Sequence, residues 1–412
     1  MKDKKNGIIL ALILIGTVFY FFANFQRVAI PGAIFDTLQS ELSVSAPYIT
    51  AFGAIFMYVY ALTQLINGVL VDRFGGYRIL LMGAIIFAFG TFLFPITSNL
   101  VLMYISRGLL GLGGSMFYLS LLKILKEVFS DKNYGIAISV MLFIGYSGAI
   151  AANAPFVYMM RFFDWRAILI GVGFVIVTGI IIFLLLTNYI KYPPINKSVA
   201  FRSLPFKLVL HKRHNRNLFS FACCNFAIYY VIQAIIGKKF LEDFCLMTSS
   251  RAAMIMSVTA IIAACFNIIN ASICKLCHNH RVIFLKHASV VTFVCLSVIC
   301  ILLGLNIQTE IIAFIFCILA ANASLSSLLV PVLYLTNRKM VSSTAVSIMN
   351  FCFFTMVGIL STIMGFLLNL FEPTIKNNIV IYSNHSYLAV FALFLLLSLF
   401  EMYKAMKLSN KY

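Results

Sequence analysis

Two arginines lie inside long apolar segments, where a charged side chain needs a specific reason to be. Arg27 falls in the apolar run 7–35, eight residues from its end, which is ~12 Å at the helical rise. Arg107 lies seven residues into the run 100–125. A charge at such a depth in a membrane costs at least ~2.5 kcal/mol and usually faces a cavity or a partner. The planar guanidinium can hold a carboxylate or a phosphate with two hydrogen bonds, so both positions are candidates for binding an anionic group.

Each arginine also has a structural interpretation. Arg27 can extend its charged end toward the membrane surface, or form an ion pair with Asp36. Arg107 can bond backbone carbonyls or a neighbouring helix. We predict that Arg27 contacts a solute, and we leave solute contact and a structural role equally open for Arg107.

A charged turn separates the apolar runs 47–71 and 79–96. Residues 68–78 read Gly-Val-Leu-Val-Asp-Arg-Phe-Gly-Gly-Tyr-Arg, with Gly68, Asp72, Arg73, Gly75 and Arg78 at the distinctive positions. The first glycine permits close approach of helices, and the later glycines permit backbone angles that other residues resist. The plain alternative is an ordinary basic turn on the cytoplasmic side.

Polar residues recur in two later apolar runs. Tyr230 and Gln233 fall on roughly one helical face of the run 218–241, together with Asn225 and Tyr229, and Asn322 lies in the run 311–335. We predict that Tyr230, Gln233 and Asn322 contribute polar or stacking contacts to a bound solute. The alternative is that they serve helix packing, as such residues often do in membranes.

The remaining charged residues near the apolar runs lie close to their ends. Lys238 and Lys239 can draw anions toward the molecule, but a solvated rim is the expected role. Glu127, Glu310 and Glu401 also fall near ends, and no acid is evident well inside a run. Since proton-coupled carriers usually need a protonatable group in the pathway, the sequence favours a facilitator or exchanger, or coupling through an acid near an end or through the solute.

Enzymatic and metal chemistry find no support in the motifs. The chain has no phosphate-binding Walker loop and no nucleophile elbow, so we predict that it is not an enzyme and has no cofactor. Cys274 and Cys277 lie beside His278 and His280, but no second pair of matching spacing accompanies them. We therefore predict no metal site.

The composition requires a membrane environment. The chain has 412 residues, of which 62% are hydrophobic and 10% charged, with a mean hydropathy of +1.01. A helix needs about 20 apolar residues to cross a bilayer, so this length accommodates about twelve crossings. The predicted spans are residues 7–35, 47–71, 79–96, 100–125, 134–160, 165–190, 218–241, 252–274, 282–305, 311–335, 342–371 and 387–406.

The net charge of +19 is placed on alternate loops, with the densest basic run at 191–216. By the positive-inside rule both termini and this central loop are cytoplasmic, and we do not expect nucleic acid binding. The predicted domains are an N-terminal six-helix bundle over 1–190, a cytoplasmic central loop over 191–217, and a C-terminal six-helix bundle over 218–412. The fold class is therefore all-α, a polytopic membrane protein with two pseudo-repeat bundles.

The turn at 68–78 resembles the loop between the second and third helices of the major facilitator superfamily. The pattern around Arg27 resembles the first helix of anion-handling members and of relatives of the lysosomal dipeptide carrier, and Arg107 with Gly111 resembles the Arg-x-x-x-Gly pattern of the fourth helix. The resemblance implies that helices one, four, seven and ten line a cavity in which Arg27 and Arg107 make one positive site. It also implies that Asp72 helps to hold the cytoplasmic side shut.

The resemblance implies a monomeric carrier in the inner (plasma) membrane that works by alternating access. The expected solute is an organic acid, an amino acid or a short peptide, anionic or zwitterionic. An exchanger of organic phosphates or other anions is the alternative, and a membrane receptor that binds solute without moving it is a weaker one. Neither the solute, the direction of transport nor the coupling ion follows from the sequence.

Overall fold

The computed structural model describes residues 2–190, 195, 204–276, 280–337, 339–376 and 379–409. Within these ranges eleven helices are long and apolar enough to cross a membrane. A shorter apolar helix, Ile136–Ala151, occupies the position of the fifth predicted span. The all-α membrane architecture predicted from the composition is confirmed. Residues 191–194 and 196–203 of the central loop, and Cys277 and His278 of the candidate metal cluster, lie outside the described residues.

The helices of the first half follow one another closely. They are α1 (Lys2–Val28), α2 (Phe35–Leu42), α3 (Ala46–Phe74), α4 (Gly76–Ile96), α5 (Leu100–Val128), α6 (Asp131–Ala151), α7 (Ala154–Met159) and α8 (Trp165–Thr187). A π-helical turn, Ala29–Ala33, continues α1 and contains a kink at Ile30, whose φ and ψ are −123° and 119°. Pro31 lacks an N–H group, so the helical hydrogen-bond ladder is interrupted here.

The described part of the second half contains nine further helices and a short hairpin. They are α9 (Leu204–His211), α10 (Arg213–Val231), α11 (Gly237–Asp243), α12 (Ser249–Leu276), α13 (Arg281–Gly304), α14 (Ile311–Ala323), α15 (Ser326–Thr336), α16 (Lys339–Leu368) and α17 (Asn384–Met406). A π-helical turn, Ile232–Ile236, joins α10 to α11. Between α16 and α17 the antiparallel strands β1 (Thr374–Lys376) and β2 (Ile379–Ile381) pair with Ile375 opposite Val380.

Three boundaries differ from the sequence prediction. The fifth span breaks between α6 and α7 at Asn153, whose φ and ψ are −101° and −105°, just before Pro155. The tenth span breaks between α14 and α15 near Ser324. The segment predicted as central loop contains α9, and α10 begins at Arg213 rather than at residue 218. Proline and local polar residues interrupt helices in ways that hydropathy does not report.

The chain divides into two compact units. The first comprises Met1–Ala29 with Ile55–Phe201, and the second comprises Ile30–Ala54 with Arg202–Tyr412. The second unit therefore includes α2 and the first part of α3, which precede most of the first unit in sequence.

Glycines bring the helices of the first unit together. A Cβ added at Gly113 of α5 would lie 2.5 Å from the carbonyl oxygen of Gly83 in α4, and one at Gly111 would lie 2.5 Å from that of Phe56 in α3. Close approach through small residues is a common way for membrane helices to associate. Gly111 and Gly113, which follow Arg107 in α5, therefore lie at close helix contacts within the first unit.

Candidate functional site

Arg27 lies in the last turn of α1 and is half-buried. Its guanidinium donates a hydrogen bond to the side-chain oxygen of Asn24, and Asn24 in turn donates to the carbonyl of Tyr20 at 2.9 Å. The guanidinium carbon lies 5.7 Å from the ring centroid of Tyr60 in α3, a cation–π distance. Arg27 thus rests against side chains of the first unit rather than extending along the protein surface.

Tyrosines surround this position. Tyr20, which is 5% exposed, lies near Tyr118 of α5 and Tyr146 of α6, with ring centroids 6.0 and 6.1 Å away. Tyr60 is also buried and stacks on Phe56. The hydroxyl of a tyrosine can hydrogen-bond to a solute, and its ring offers an aromatic face to a cation or an organic group. These tyrosines were missed in the sequence, because aromatic residues are frequent throughout the chain and carry no charge signal.

Arg107 is 0% exposed in α5. Its Nη1 donates to the backbone carbonyl of Gln26 in α1 at 3.0 Å, in the turn just before the kink at Ile30. Its guanidinium carbon lies 4.8 Å from the ring centroid of Phe56. A carbonyl next to an interrupted helix needs a donor, so this contact favours the structural interpretation of Arg107.

Arg27 and Arg107 are brought to one neighbourhood of the first unit. They contact the stacked rings of Tyr60 and Phe56 respectively, whose centroids are 6.1 Å apart. The acids of this unit whose side chains are described, Asp72, Glu127 and Asp164, lie near helix ends, where Asp72 pairs with Lys123 and Asp164 caps α8. The interior of the first unit is therefore cationic around these arginines.

Gln26 is a further candidate that the sequence analysis did not single out. It is 0% exposed, and neither its Oε1 nor its Nε2 has a hydrogen-bond partner among the described residues. Buried amides are almost always hydrogen-bonded, so an orphaned one calls for an explanation such as a bound molecule or water. Its position next to Arg27 in sequence is the only signal that points to it.

Two of the three polar residues predicted from the second half, Gln233 and Asn322, make hydrogen bonds between helices. Gln233 lies in the π-helical turn, where its Nε2 donates to the carbonyl of Met256 at 3.0 Å and its Oε1 accepts from Thr259 at 2.5 Å. Asn322 donates to the carbonyl of Ala288 and to Oγ1 of Thr292, both at 2.7 Å. These bonds hold different helix pairs and favour the packing interpretation for Gln233 and Asn322.

Tyr230 is 7% exposed and stacks on Phe226, with ring centroids 5.3 Å apart. Phe226 also stacks on Phe353 of α16 at 4.7 Å. The ring of Tyr230 therefore continues an aromatic stack between α10 and α16, within the second unit.

The charged turn joins α3 to α4. Gly75 has a φ of 87°, in the left-handed region that favours glycine. Asp72 pairs with Lys123 of α5 at 2.9 Å, and Arg78 donates to the last carbonyl of α3, at Phe74, at 3.0 Å. Arg73 lies against the ring of Phe74. The motif thus ties the ends of three helices of the first unit.

One part of the turn prediction is wrong. A Cβ at Gly68 would have nothing within 4 Å, so this glycine does not bring helices together within the structure. The close approach occurs at Gly76 instead, where a Cβ would lie 2.7 Å from the carbonyl oxygen of Ser120. Both residues are glycines in one motif, and only the tertiary packing of α5 distinguishes them.

Lys239 is not on a solvated rim, which corrects the sequence prediction. It is 1% exposed and pairs with Asp36 of α2 at 2.6 Å and with Asp243 of α11 at 2.7 Å. Asp243 also accepts hydrogen bonds from the backbone N–H of Tyr382 and from the Tyr387 hydroxyl. The ion pair suggested for Arg27 and Asp36 is therefore replaced by one with Lys239. Lys238 is also buried and pairs with Glu242.

Two further contacts attach α2 to the loop before α17. Gln39 donates to the hydroxyl of Tyr382 at 2.6 Å, and Phe35 meets the ring of Tyr382 edge-on. Burial raises the pKa of Tyr382 above its ordinary value, although the bond from Gln39 acts in the opposite direction, so its phenol stays neutral. We call Asp36, Gln39, Lys239, Asp243 and Tyr382 the α2 clamp.

Comparison with known proteins places this arrangement in one family. The sequence model of the Major Facilitator Superfamily matches residues 13–362, so the chain belongs to that superfamily of membrane transporters. A stretch of 180 residues, 43% of this chain, is 29% identical to the uncharacterized transporter YybO of Bacillus subtilis (strain 168). The alignment spans 40% of that relative's length.

Solved transporters share the fold over nearly the whole chain. A bacterial homologue of the human lysosomal transporter Spinster, inward-facing and unoccupied, superposes with a TM-score of 0.69 at 15% identity and covers 98% of both chains. A POT family transporter in complex with 5-aminolevulinic acid gives 0.76 at 11% identity, covering 97% of this chain and 96% of that one. The D323A mutant of the nucleoside transporter NupG gives 0.72 at 14% identity, covering 97% and 99%. The predicted family and fold are confirmed, and these likenesses are to transporters, not enzymes.

Proposed function

We propose that this protein moves a small solute bearing a negative group across the membrane by alternating access. The solute is an organic acid, an amino acid or a short peptide. The observation that carries the proposal is the half-buried Arg27, held by Asn24 against Tyr60 within an apolar helix. A guanidinium in a medium of low dielectric attracts a carboxylate strongly and binds it with two parallel hydrogen bonds.

We assign different roles to the residues of this site. Arg27 contacts the negative group, and Gln26 and the tyrosines around it supply neutral hydrogen bonds. Arg107 is a positioning residue, since its bond to the Gln26 carbonyl supports the end of α1 that carries Arg27. Within the second unit, Tyr230 belongs to an aromatic stack, and Gln233 and Asn322 act through packing.

We infer that the turn at Gly68, Asp72, Arg73, Gly75 and Arg78 belongs to the cytoplasmic gate. Asp72 is the residue that connects the turn to the rest of the gate, because its carboxylate forms an ion pair with Lys123 on another helix of the unit. The pair is exposed, with the Asp72 side chain at 58% and that of Lys123 at 35%. Such a pair contributes at most about 1 kcal/mol, which suits a contact that must break in each cycle.

We also propose a plasma-membrane location with both termini in the cytoplasm and a monomeric working unit. The support is the basic charge on alternate loops, including the Lys- and Arg-rich segment between the two halves. The partners are then the bilayer and the solute alone. A fusion of alkaline phosphatase or green fluorescent protein to the C-terminus tests the orientation, with fluorescence and no phosphatase activity expected.

The binding proposal is tested by thermal stabilisation of the detergent-purified protein. The probes are succinate, alanine, dialanine and glucose 6-phosphate, because a ligand that binds the folded state raises the melting temperature by mass action. We expect a carboxylate probe to stabilise the wild type but not Arg27→Ala. Arg251→Ala is the matched control, since this arginine is exposed and pairs with Glu310.

The other outcomes separate the alternatives. Stabilisation by glucose 6-phosphate alone would favour an exchanger of organic phosphates. Equal stabilisation of the wild type and Arg27→Ala would remove the arginine from the site. Binding without uptake into liposomes would indicate a receptor.

A further inference from the structure

A cavity of about 340 Å³ lies within the second unit, between the end of α12, the start of α13 and the first half of α15. Its lining combines two cationic side chains, Lys275 and Arg281, with the hydroxyl-bearing Ser327. The other lining residues are small or apolar, namely Ala271, Cys274, Leu328 and Pro331. A mostly apolar cavity that contains a few polar groups is the usual form of a ligand site.

The polar residues of this cavity differ in exposure. Lys275, in the last turn of α12, is exposed, and Arg281, the first residue of α13, is half-buried. Ser327 lies in the first turn of α15, and its Oγ is buried. The two cations therefore lie at the outer side of the cavity and the serine at its inner side.

Two asparagines of α12 fix the first turn of α15 in this position. Nδ2 of Asn270 donates to the carbonyl of Ser324 at 3.0 Å, and Oδ1 of Asn267 accepts from the backbone N–H of Ser327 at 3.2 Å. The Oγ of Ser327, by contrast, has no hydrogen-bond partner among the described residues. A buried hydroxyl without a partner calls for an explanation such as a bound molecule.

The helices that form the cavity carry no acidic residue. Residues 244–371 contain a single Asp or Glu, which is Glu310. Glu310 immediately precedes α14 and pairs at 2.7 Å with Arg251, near the opposite end of α12 from the cavity. The positive charges of Lys275 and Arg281 therefore have no counter-charge on α12, α13 or α15.

The acid of α17 does not supply this counter-charge. The sequence analysis places Glu401 near the end of a span, yet it is 0% exposed, because position along a helix does not report the depth of packing. Its Oε1 accepts a hydrogen bond from Nδ2 of Asn225 in α10 at 3.0 Å. Among the described residues that line the cavity, none belongs to α17.

We propose that this cavity binds a phosphate group, presented by the headgroup of an anionic membrane lipid or by a soluble phosphate. Lys275 supplies a point charge, Arg281 a planar guanidinium that can bond two phosphate oxygens, and Ser327 a neutral hydroxyl. A phosphate has three strong acceptor oxygens, so it can use all three donors. Basic pockets between membrane helices are a known form of site for phosphate headgroups.

The surface of the same helices favours the lipid as the source. Ile273 and Leu276 in the last turns of α12 are exposed, Leu276 to 81%, and Leu335 of α15 is exposed as well. Exposed apolar side chains on membrane-spanning helices match the apolar lipid tails. A lipid can therefore place its headgroup in the cavity while its acyl chains stay in the bilayer.

Binding is measured on the purified, delipidated protein in detergent. The probes are dihexanoyl phosphatidylglycerol, followed by native mass spectrometry, and inorganic phosphate, followed by titration calorimetry. Lys275→Gln/Arg281→Gln should raise the Kd of the bound probe about tenfold or more, because charge-assisted hydrogen bonds are lost. Arg251→Gln removes a positive charge at the opposite end of α12 and is the matched control, with an unchanged Kd.

The probes separate the two sources of the phosphate. Binding of phosphatidylglycerol alone, with the loss in the double variant, assigns the cavity to a lipid headgroup, and the same loss for inorganic phosphate assigns it to a soluble phosphate. Equal Kd values for the wild type and the double variant, or no binding of either probe to the wild type, would overturn the inference.

Arg27→Ala separates this cavity from the solute site proposed above. Arg27 belongs to the first unit and the cavity to the second, so Arg27→Ala should bind both probes with the wild-type Kd, whether or not the solute proposal holds. Loss of probe binding in Arg27→Ala but not in Lys275→Gln/Arg281→Gln would place the phosphate at Arg27 and overturn the inference.

Ser327→Ala keeps the test decisive if the double variant does not fold. It removes a buried hydroxyl that has no protein partner among the described residues, so the ligand-free variant should melt at or above the wild-type temperature. The Kd of the bound probe should nevertheless rise by about two- to tenfold. An unchanged Kd, whatever the melting temperature, would overturn the inference.

Discussion

Arg27 and Arg107 are both arginines within apolar helices, but their contacts differ. Arg27 is half-buried and is held by a neutral asparagine and a tyrosine ring, whereas Arg107 is fully enclosed and donates to a backbone carbonyl. A residue that serves a ligand keeps some access, and a residue that serves the fold does not need it. The two arginines therefore yield opposite predictions for binding and stability.

Substitution of Arg27 should weaken ligand binding. A hydrogen bond to a charged group contributes about 1.5–3 kcal/mol, so Arg27→Ala should raise the Kd of a carboxylate ligand by roughly 10- to 100-fold. Arg27→Lys keeps the charge but loses the planar guanidinium, so its Kd should lie between those of the wild type and Arg27→Ala. Titration calorimetry with a ligand found in the thermal screen measures this, and unchanged affinity in Arg27→Ala would contradict the assignment.

Substitution of Arg107 should lower stability. Arg107→Ala removes a fully buried side chain and the donor to the Gln26 carbonyl, and losses of this kind cost about 3 kcal/mol. The melting temperature of ligand-free Arg107→Ala should therefore fall well below that of Arg27→Ala. If the two variants melt together, the structural role of Arg107 is wrong.

At the scale of single residues, the sequence identified Arg27 and Arg107 as candidate site residues, because a charged residue inside an apolar run can be recognised from the sequence alone. It did not predict the burial of Lys239 or Glu401, since both lie near helix ends where water is the default neighbour. Their surroundings come from segments more than a hundred residues away, Asp36 in one case and Asn225 in the other. Tertiary neighbours of this kind leave no local pattern.

Among the helices, α2 has the most distinctive contacts. It is eight residues long, too short to fold alone, and it is held through the α2 clamp to residues far along the chain. Breaking a buried ion pair by removing one partner is costly because the other charge is left buried.

Lys239→Met should therefore destabilise the protein by about 3–5 kcal/mol, since Asp36 and Asp243 would lose their common cation. Lys238→Met is the matched control, because Lys238 pairs only with the neighbouring turn at Glu242 among the contacts described, and it should have a smaller effect. Adding Asp243→Asn to Lys239→Met should recover part of the loss. Thermal melts in detergent measure this difference. Equal melting temperatures for the two lysine variants would contradict the role of Lys239 in the α2 clamp.

The turn between α3 and α4 offers a matched glycine pair. Gly76→Ala would place a Cβ 2.7 Å from the Ser120 carbonyl oxygen, while Gly68→Ala has open space around it. Gly76→Ala should lower the yield of folded protein and its melting temperature, and Gly68→Ala should behave as wild type. Size-exclusion chromatography and thermal melts compare them, and the reverse order would show that the turn packs differently.

The helix pattern was predictable because hydropathy and length report a membrane span directly. The breaks at Asn153 and Ser324 and the π-helical turns were not, since they depend on proline placement and on side chains that compete for backbone groups. Pro31 and Pro155 are the local sequence features that indicate interrupted helices at these places.

For the whole molecule, composition and the turn motif were enough to predict the family that the comparisons confirm. The assignment of residues 30–54 to the second unit could not be predicted from the sequence, because it follows from contacts of α2 rather than from sequence order. Substrate identity is equally remote, since it depends on which atoms line a cavity. In the function proposed above, the charge of Arg27 indicates only the chemical class of the solute.

Uptake into liposomes tests the central claim most directly. Purified wild type, Arg27→Ala and Arg251→Ala are reconstituted, and labelled succinate, alanine, dialanine and glucose 6-phosphate are offered with empty liposomes as the blank. We predict that the wild type and Arg251→Ala take up at least one of these compounds above the blank, and that Arg27→Ala does not. Uptake by Arg27→Ala at the wild-type rate, or no uptake by the wild type, would contradict a carrier that binds the negative group of its solute through Arg27.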